Sequence, residues 1–251
     1  MISTADDVVL LAAGTLAGAV GSAGGITSLI SYPALLAVGL PPLPANVTQA
    51  VAFVTCLPGS ALGSRPELRG QGPWLRRWAA LTATGGAVGV VLLLNTPGHI
   101  FGRVVPFLLA LASLALLLQP HISRWQERRP RDRNRLLLPC GLFAVSVYGG
   151  YFGAGSGVMV LALLLLTVDQ TLVRANALKN VILGVADVVA AAGFAVFGPV
   201  RWAAVVPLAL GLFAGSRVGP SVTRRVPGGV LRVLVALAGL GLAIHLWVAP
   251  S

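Results

Sequence analysis

The chain has 251 residues, 56% of them hydrophobic and 10% charged, with a net charge of +11. A soluble domain carries roughly 25% charged residues, so this composition excludes an ordinary soluble domain and describes a polytopic membrane protein. The surplus charge lies in short arginine clusters between apolar runs, with no basic face of interleaved aromatics, which excludes a nucleic-acid binder.

The opening MISTADD is acidic and lacks the basic start of a signal peptide. Val8 to Val38 is a long apolar run interrupted at Ser22–Gly25, followed by the rigid, uncharged turn GLPPLP from Gly39 to Pro44. Ala45 to Gly63 forms a second apolar segment. Ser64 to Arg77 is a basic loop in which Arg65, Arg69, Arg76 and Arg77 stand against Glu67. Trp78–Leu94 and Phe101–Leu118 are further segments, joined by the uncharged turn NTPGH. Pro120 to Arg135 holds six arginines and two acids and divides the chain. Beyond it Leu136–Val168 is again long and broken, at Gly149–Gly157, and is followed by Thr171–Phe197, Trp202–Val218 and Val230–Trp247. Arg217, Arg224 and Arg225 surround the last loop.

The second half repeats the first. Gly18, Gly21 and Gly25 match Gly150, Gly153 and Gly157; Ala45-Asn46 matches Ala175-Asn176. Arg77-Trp78-Ala79-Ala80 matches Arg201-Trp202-Ala203-Ala204, and Gly85 and Gly89 match Gly211 and Gly215. Two-fold internal repeats of this kind build many transporters. The expected organisation is a first membrane repeat over 1–119, a basic cytoplasmic linker over 120–135 and a second repeat over 136–251.

Length and charge set the expected topology. A span takes about 20 apolar residues. Val8–Val38 and Leu136–Val168 are too long for one straight crossing and too short for two. A re-entrant hairpin with the glycines at its tip fits, and a single strongly kinked span is the alternative. The re-entrant arrangement puts all three basic loops on the cytoplasmic side, as arginine-rich loops require. Three full spans plus one hairpin per half then invert the second repeat. The expected fold is therefore an all-α integral membrane protein of two inverted repeats, multi-pass in the cell membrane, with its hairpins meeting near the midplane.

Chemistry is expected where the helices break. A short helix starts near Ile26 and another near Val158, and the first N–H groups of each lack intrahelical partners and carry partial positive charge. Two such ends make a site for a small anion, built from Gly24, Gly25, Gly155, Ser156 and Gly157, with Thr27, Ser28 and Ser156 adding hydroxyls. Small residues packing helices closely is the competing reading. Asn46, Gln49, Asn176, Lys179 and Asn180 lie in the first turns of matched segments. Lys179 is the chain's only lysine, and an ionisable group within a span is a functional candidate by default; its long stem also permits snorkelling. Asp187 is the only acid inside a span, about 12 Å further along the helix, placed for a structural ion pair or for taking up a proton. Trp78 and Trp202 read as interface anchors, Cys56 and Cys140 as core filling, and His99 and His245 as bland. No metal-ligand spacing and no nucleotide-binding loop is present, so neither a cofactor nor ATP drive is expected.

The double G-x-x-G-x-x-x-G cluster, Pro33 after its first copy, the stretch YGGYFGAGSG and the following RANALKN together resemble the TauE/SafE sulfite exporter family, also described as toluene-sulfonate uptake permeases. The resemblance runs from about Val8 to Trp247; Ala23 and Ser156 stand where the family motif has glycine. It implies a non-enzymatic transporter of sulfite, sulfoacetate or other organosulfonates, leaving substrate and direction open. An anion channel using the same helix ends is the alternative, and the sequence does not separate it from a carrier. An intramembrane serine hydrolase with Ser156 as nucleophile and His245 as base fits the residues less well.

Overall fold

The computed structural model describes residues 4–24, 26–127, 136–168, 171–223 and 229–248, and among these every regular element is a helix. The first apolar run forms α1 (Thr4–Gly24) and α2 (Ser28–Ala37). α2 ends in a turn at Gly39, whose φ of 84° suits glycine. Pro42 opens α3 (Pro42–Phe53), where its missing N–H costs nothing. The expected single segment Ala45–Gly63 is in fact two helices, α3 and α4 (Cys56–Gly63). Pro58 is the physical reason: it cannot donate to the preceding turn. Thr55 Oγ instead donates to Ala52 O at 2.8 Å and lies 2.9 Å from Ala209 O.

The short α5 (Arg65–Leu68) leads to α6 (Gly72–Leu94) and α7 (Gly98–Glu127). After the linker, whose residues 128–135 lie outside the described part, come α8 (Leu137–Tyr151), α9 (Ser156–Thr167), α10 (Leu172–Phe197), α11 (Trp202–Thr223) and α12 (Gly229–Val248). Thr171 caps α10, accepting from Arg174 N at 3.4 Å. α9 starts at Ser156, two residues before the position expected from sequence; α2 starts at Ser28, two after it.

Among the described residues five helices are long and apolar enough to cross a membrane: α1, α6, α7, α10 and α11. Their outward faces carry exposed Val91, Phe107, Leu111, Val206 and Leu210, apolar area that lipid rather than water would cover.

Packing links distant parts of the chain. α1 lies on α11, and α6 lies on α8. A Cβ added at Gly85 would strike Phe143, Ser146 and Val147 of α8; one added at Gly211 would strike Leu11, Gly14 and Thr15 of α1. The two triplets have the same spacing. Gly89 and Gly215 repeat the pattern one turn on, against Val147 and Thr15. α8 and α9 fold back on each other, with Gly141 of α8 against the side chain of Leu163 of α9.

The two ends of the bundle differ in charge. Leu68, Trp74, Trp78, Leu137, Val168 and Ala175 cluster toward one end, where Arg65, Arg69, Arg76, Arg77 and Arg174 also start or flank their helices. The opposite end gathers Pro41–Pro44, Gly98, His99, Arg103, Pro199 and Leu246. Arg201 N there donates to Thr48 Oγ at 3.0 Å. Trp78 and Trp202, the matched tryptophans, belong to opposite ends. Trp202 is exposed, as an anchor should be. Trp78 packs beside Trp74 under the Arg77 guanidinium, 5.1 Å from its ring.

Candidate functional site

Both glycine turns border one cavity of about 80 Å³. A single water needs roughly 10–15 Å³ on this measure, so the space suits a small ion of several heavy atoms. The first turn supplies Gly21, Thr27 and Ser28; the second supplies Gly153, Ser156 and Gly157; α3, α4 and α10 close the remainder.

The second turn is sharp because of glycine. Gly153 and Gly155 have φ of 78° and 76°, a region other residues adopt only at a cost. Tyr148 of α8 ties the loop down by donating to Ala154 O at 2.6 Å. Ser156 N–H bonds to Gly153 O at 3.1 Å. Gly157, at the second position of α9, therefore carries an N–H with no intrahelical partner beside the cavity. The first turn is tightened by contact of Gly21 with Thr27. α2 also touches the second turn directly: the Tyr32 ring stands edge-on to Phe152, 5.5 Å between centroids.

The polar residues of α3 and α10 are arranged alike. Asn46 and Asn176 occupy matched positions, and three residues later stand Gln49 and Lys179. Gln49 Nε2 donates to Asn46 Oδ1 at 3.3 Å, and Lys179 Nζ donates to Asn176 Oδ1 at 2.7 Å. Gln49 Oε1 accepts from Ser31 at 2.9 Å, and Asn46 Nδ2 donates to Tyr151 O, across to the second turn, at 3.0 Å. Gln49 and Lys179 line the cavity, whereas Asn46 and Asn176 stand behind them and orient them.

Lys179 is 1% exposed, so it does not snorkel. Its polar partner among the described residues is Asn176, which leaves two of its three donors for something in the cavity. Isolating an ammonium from water costs several kcal/mol unless a counter-charge compensates. Asp187 lines the same cavity two turns on, beyond direct reach of Lys179. Asn180 lines it as well.

Of the other expected residues, Gly24 is the last residue of α1 and Gly25 lies outside the described residues. Gly155 packs against Ala112 of α7. Ser156 Oγ donates to Gly153 O at 2.8 Å, and exposed His245 does not border the cavity. The serine–histidine pair a hydrolase needs is therefore not brought together. Cys56 and Ser60 of α4, together with Phe53 and Phe152, line the cavity although sequence reasoning had not singled them out for it. Aligning Asn46 on Asn176 would have drawn attention to the start of α4, since Leu57, next to Cys56, then falls opposite Asp187.

The family description "sulfite exporter TauE/SafE" matches residues 9–246. A probable membrane transporter protein, ORF9, of Sinorhizobium sp is 25% identical over 249 residues, covering 96% of this chain and 92% of the relative. A probable membrane transporter protein of Haemophilus influenzae is 26% identical, with 91% and 89% covered. The probable membrane transporter protein YfcA of Escherichia coli is 25% identical, with 91% and 85% covered. No solved structure matches the chain.

Proposed function

The chain belongs to the TauE/SafE sulfite exporter family of membrane transporters, and from that premise we propose that it carries a small sulfur oxyanion or organosulfonate through the cavity between its glycine turns. One observation carries the reading: the chain's only lysine is buried beside that cavity with no carboxylate in contact among the described residues. The anion would supply the missing counter-charge. Gln49, Asn180, Thr27, Ser28 and the Gly157 N–H would share its oxygens; Asn46 and Asn176 would hold Gln49 and Lys179 in place.

Under this reading the two halves are inverted repeats that rock against each other around the site. The matched contacts of Gly85 and Gly211, and the placing of Trp78 and Trp202 at opposite ends, support the inversion. The folding-back of α8 on α9 supports re-entrant hairpins. The arginine-rich end is then the cytoplasmic side, with the 120–135 linker on it. Single cysteines at Gln71 and Thr223, in a chain with Cys56 and Cys140 replaced, are expected to be shielded from an impermeant thiol reagent in intact cells, and one at His99 labelled. Opposite labelling of Gln71 and Thr223 would overturn this topology.

A thermal-shift screen of the purified protein tests the substrate class. Sulfite or a sulfonate is expected to raise the melting temperature in proportion to the logarithm of its concentration, as a native-state ligand must, while cations of similar size do nothing. A screen in which no anion stabilises the protein and none exchanges across liposomes would reject the carrier reading.

A further inference from the structure

We propose that the carrier moves one proton with each monovalent anion, electroneutrally, and that Asp187 holds that proton. This deepens the anion-carrier reading and rests on it. The structural basis is that α10 brings one ammonium and one carboxylate to a single cavity, about 12 Å apart along the helix axis, too far to pair and close enough to sense the same ligand. Matched to Gln49 and Leu57 of the first half, both are extra charges that the second half alone contributes.

Charge balance dictates the coupling. With the cavity empty, Lys179 ammonium and Asp187 carboxylate sum to zero. Adding a monoanion leaves one uncompensated negative charge unless Asp187 takes a proton. With the proton on, the loaded site is neutral again. A site that must face first one side and then the other through a poorly polarisable medium moves most easily in its neutral forms. The unprotonated carboxylate also repels the anion. Two charges about 12 Å apart at an effective dielectric constant of about 20 change affinity by roughly tenfold. A dianion would leave a net charge in either protonation state, so the same balance selects hydrogensulfite or a sulfonate over sulfate.

The groups around Asp187 leave it as the candidate. Of the titratable side chains lining the cavity, Cys56 comes from α4 and Lys179 from α10 itself. The facing parts of α1, α2, α3 and α9 bring Gly21, Thr27, Ser28, Gln49, Ser156 and Gly157, none of which titrates in the working range. α8 brings Gly149 to the lining, and its Tyr148 hydroxyl is engaged with Ala154. α6 approaches through Gly86 against Ala186, with Arg76 and Arg77 at its arginine-rich end. α5, also packed on α10, carries Arg65 and Glu67 outside the cavity.

The test uses the full-length protein in liposomes with labelled sulfite and isethionate as probes. An inward proton gradient is expected to drive accumulation at least tenfold above equilibrium exchange. A potassium–valinomycin potential is expected to leave the initial rate unchanged, and sulfate to compete at least tenfold worse than isethionate. Asp187→Asn, checked for monodispersity, is expected to abolish the gradient response and remove the fall in anion exchange as pH rises. Exchange in the wild type that ignores the pH gradient, or that follows the electrical potential, overturns the coupling while leaving an anion carrier. Sulfate competing as well as isethionate overturns the monovalent selection. If the wild type exchanges none of these anions, the underlying carrier reading fails, and this inference with it.

Discussion

Replacing Lys179 by Gln is expected to weaken anion transport by roughly 10- to 100-fold, measured as uptake into liposomes, without lowering the thermal stability of the ligand-free protein. The size follows from the bond lost: a hydrogen bond to a charged group is worth about 1.5–3 kcal/mol, and each 1.4 kcal/mol is about tenfold. The unusual half is the stability. Removing one member of a buried ion pair normally costs about 3–5 kcal/mol because the other is stranded. Here no carboxylate among the described residues contacts Lys179, so no close partner is stranded, and Asp187, about 12 Å along the helix, keeps the empty site neutral by taking up a proton. The glutamine keeps a donor for Asn176 and reproduces the Gln49–Asn46 arrangement of the other half. A variant that loses transport together with folding would make Lys179 structural. One that transports normally would remove the ammonium from the site.

Gly18→Ala is expected to damage the fold itself, far from any ligand. A Cβ there would lie 2.5 Å from Leu212 O and 2.8 Å from Ser216 N of α11, and backbone cannot swing aside as a long side chain does. Forcing α1 off α11 costs about 1–3 kcal/mol or more, which for a chain of this size corresponds to roughly 2–4 °C of melting temperature per kcal/mol. Gly102→Ala, where the added atom meets nothing within 4 Å, is the control and is expected to be neutral or slightly stabilising within its helix. Equal behaviour of the two in a melting scan would show that the α1–α11 approach is looser than described.

Much of this was legible in the linear chain. The apolar runs located the helices because nothing but a helix satisfies its own backbone in lipid. The glycine clusters located the break points, and the lone lysine drew attention to α10. The break between α3 and α4 was missed, although Pro58 stood in the open. A proline inside an apolar run is tolerated in membrane helices when the freed backbone groups are re-satisfied; here Leu57 N donates to Val54 O at 3.3 Å, and the Thr55 hydroxyl beside the break lies 2.9 Å from Ala209 O of α11, far away in sequence.

The division is physical. Composition and hydropathy determined by themselves that this is a helical membrane protein, because they depend on local backbone and solvent requirements, and the glycine and RANALKN motifs carried the family. Which residues share the cavity was decided only by tertiary structure. Asn46 and Asn176 occupy equivalent places with equivalent chemistry, yet both stand behind the wall, while Cys56 and Ser60 reach it through a bend in their helix. The exchange of partners, α1 onto α11 and α8 onto α6, brings Gly21 and Gly153 to the same space, and only the packed chain reveals it, since the contact joins residues more than a hundred positions apart.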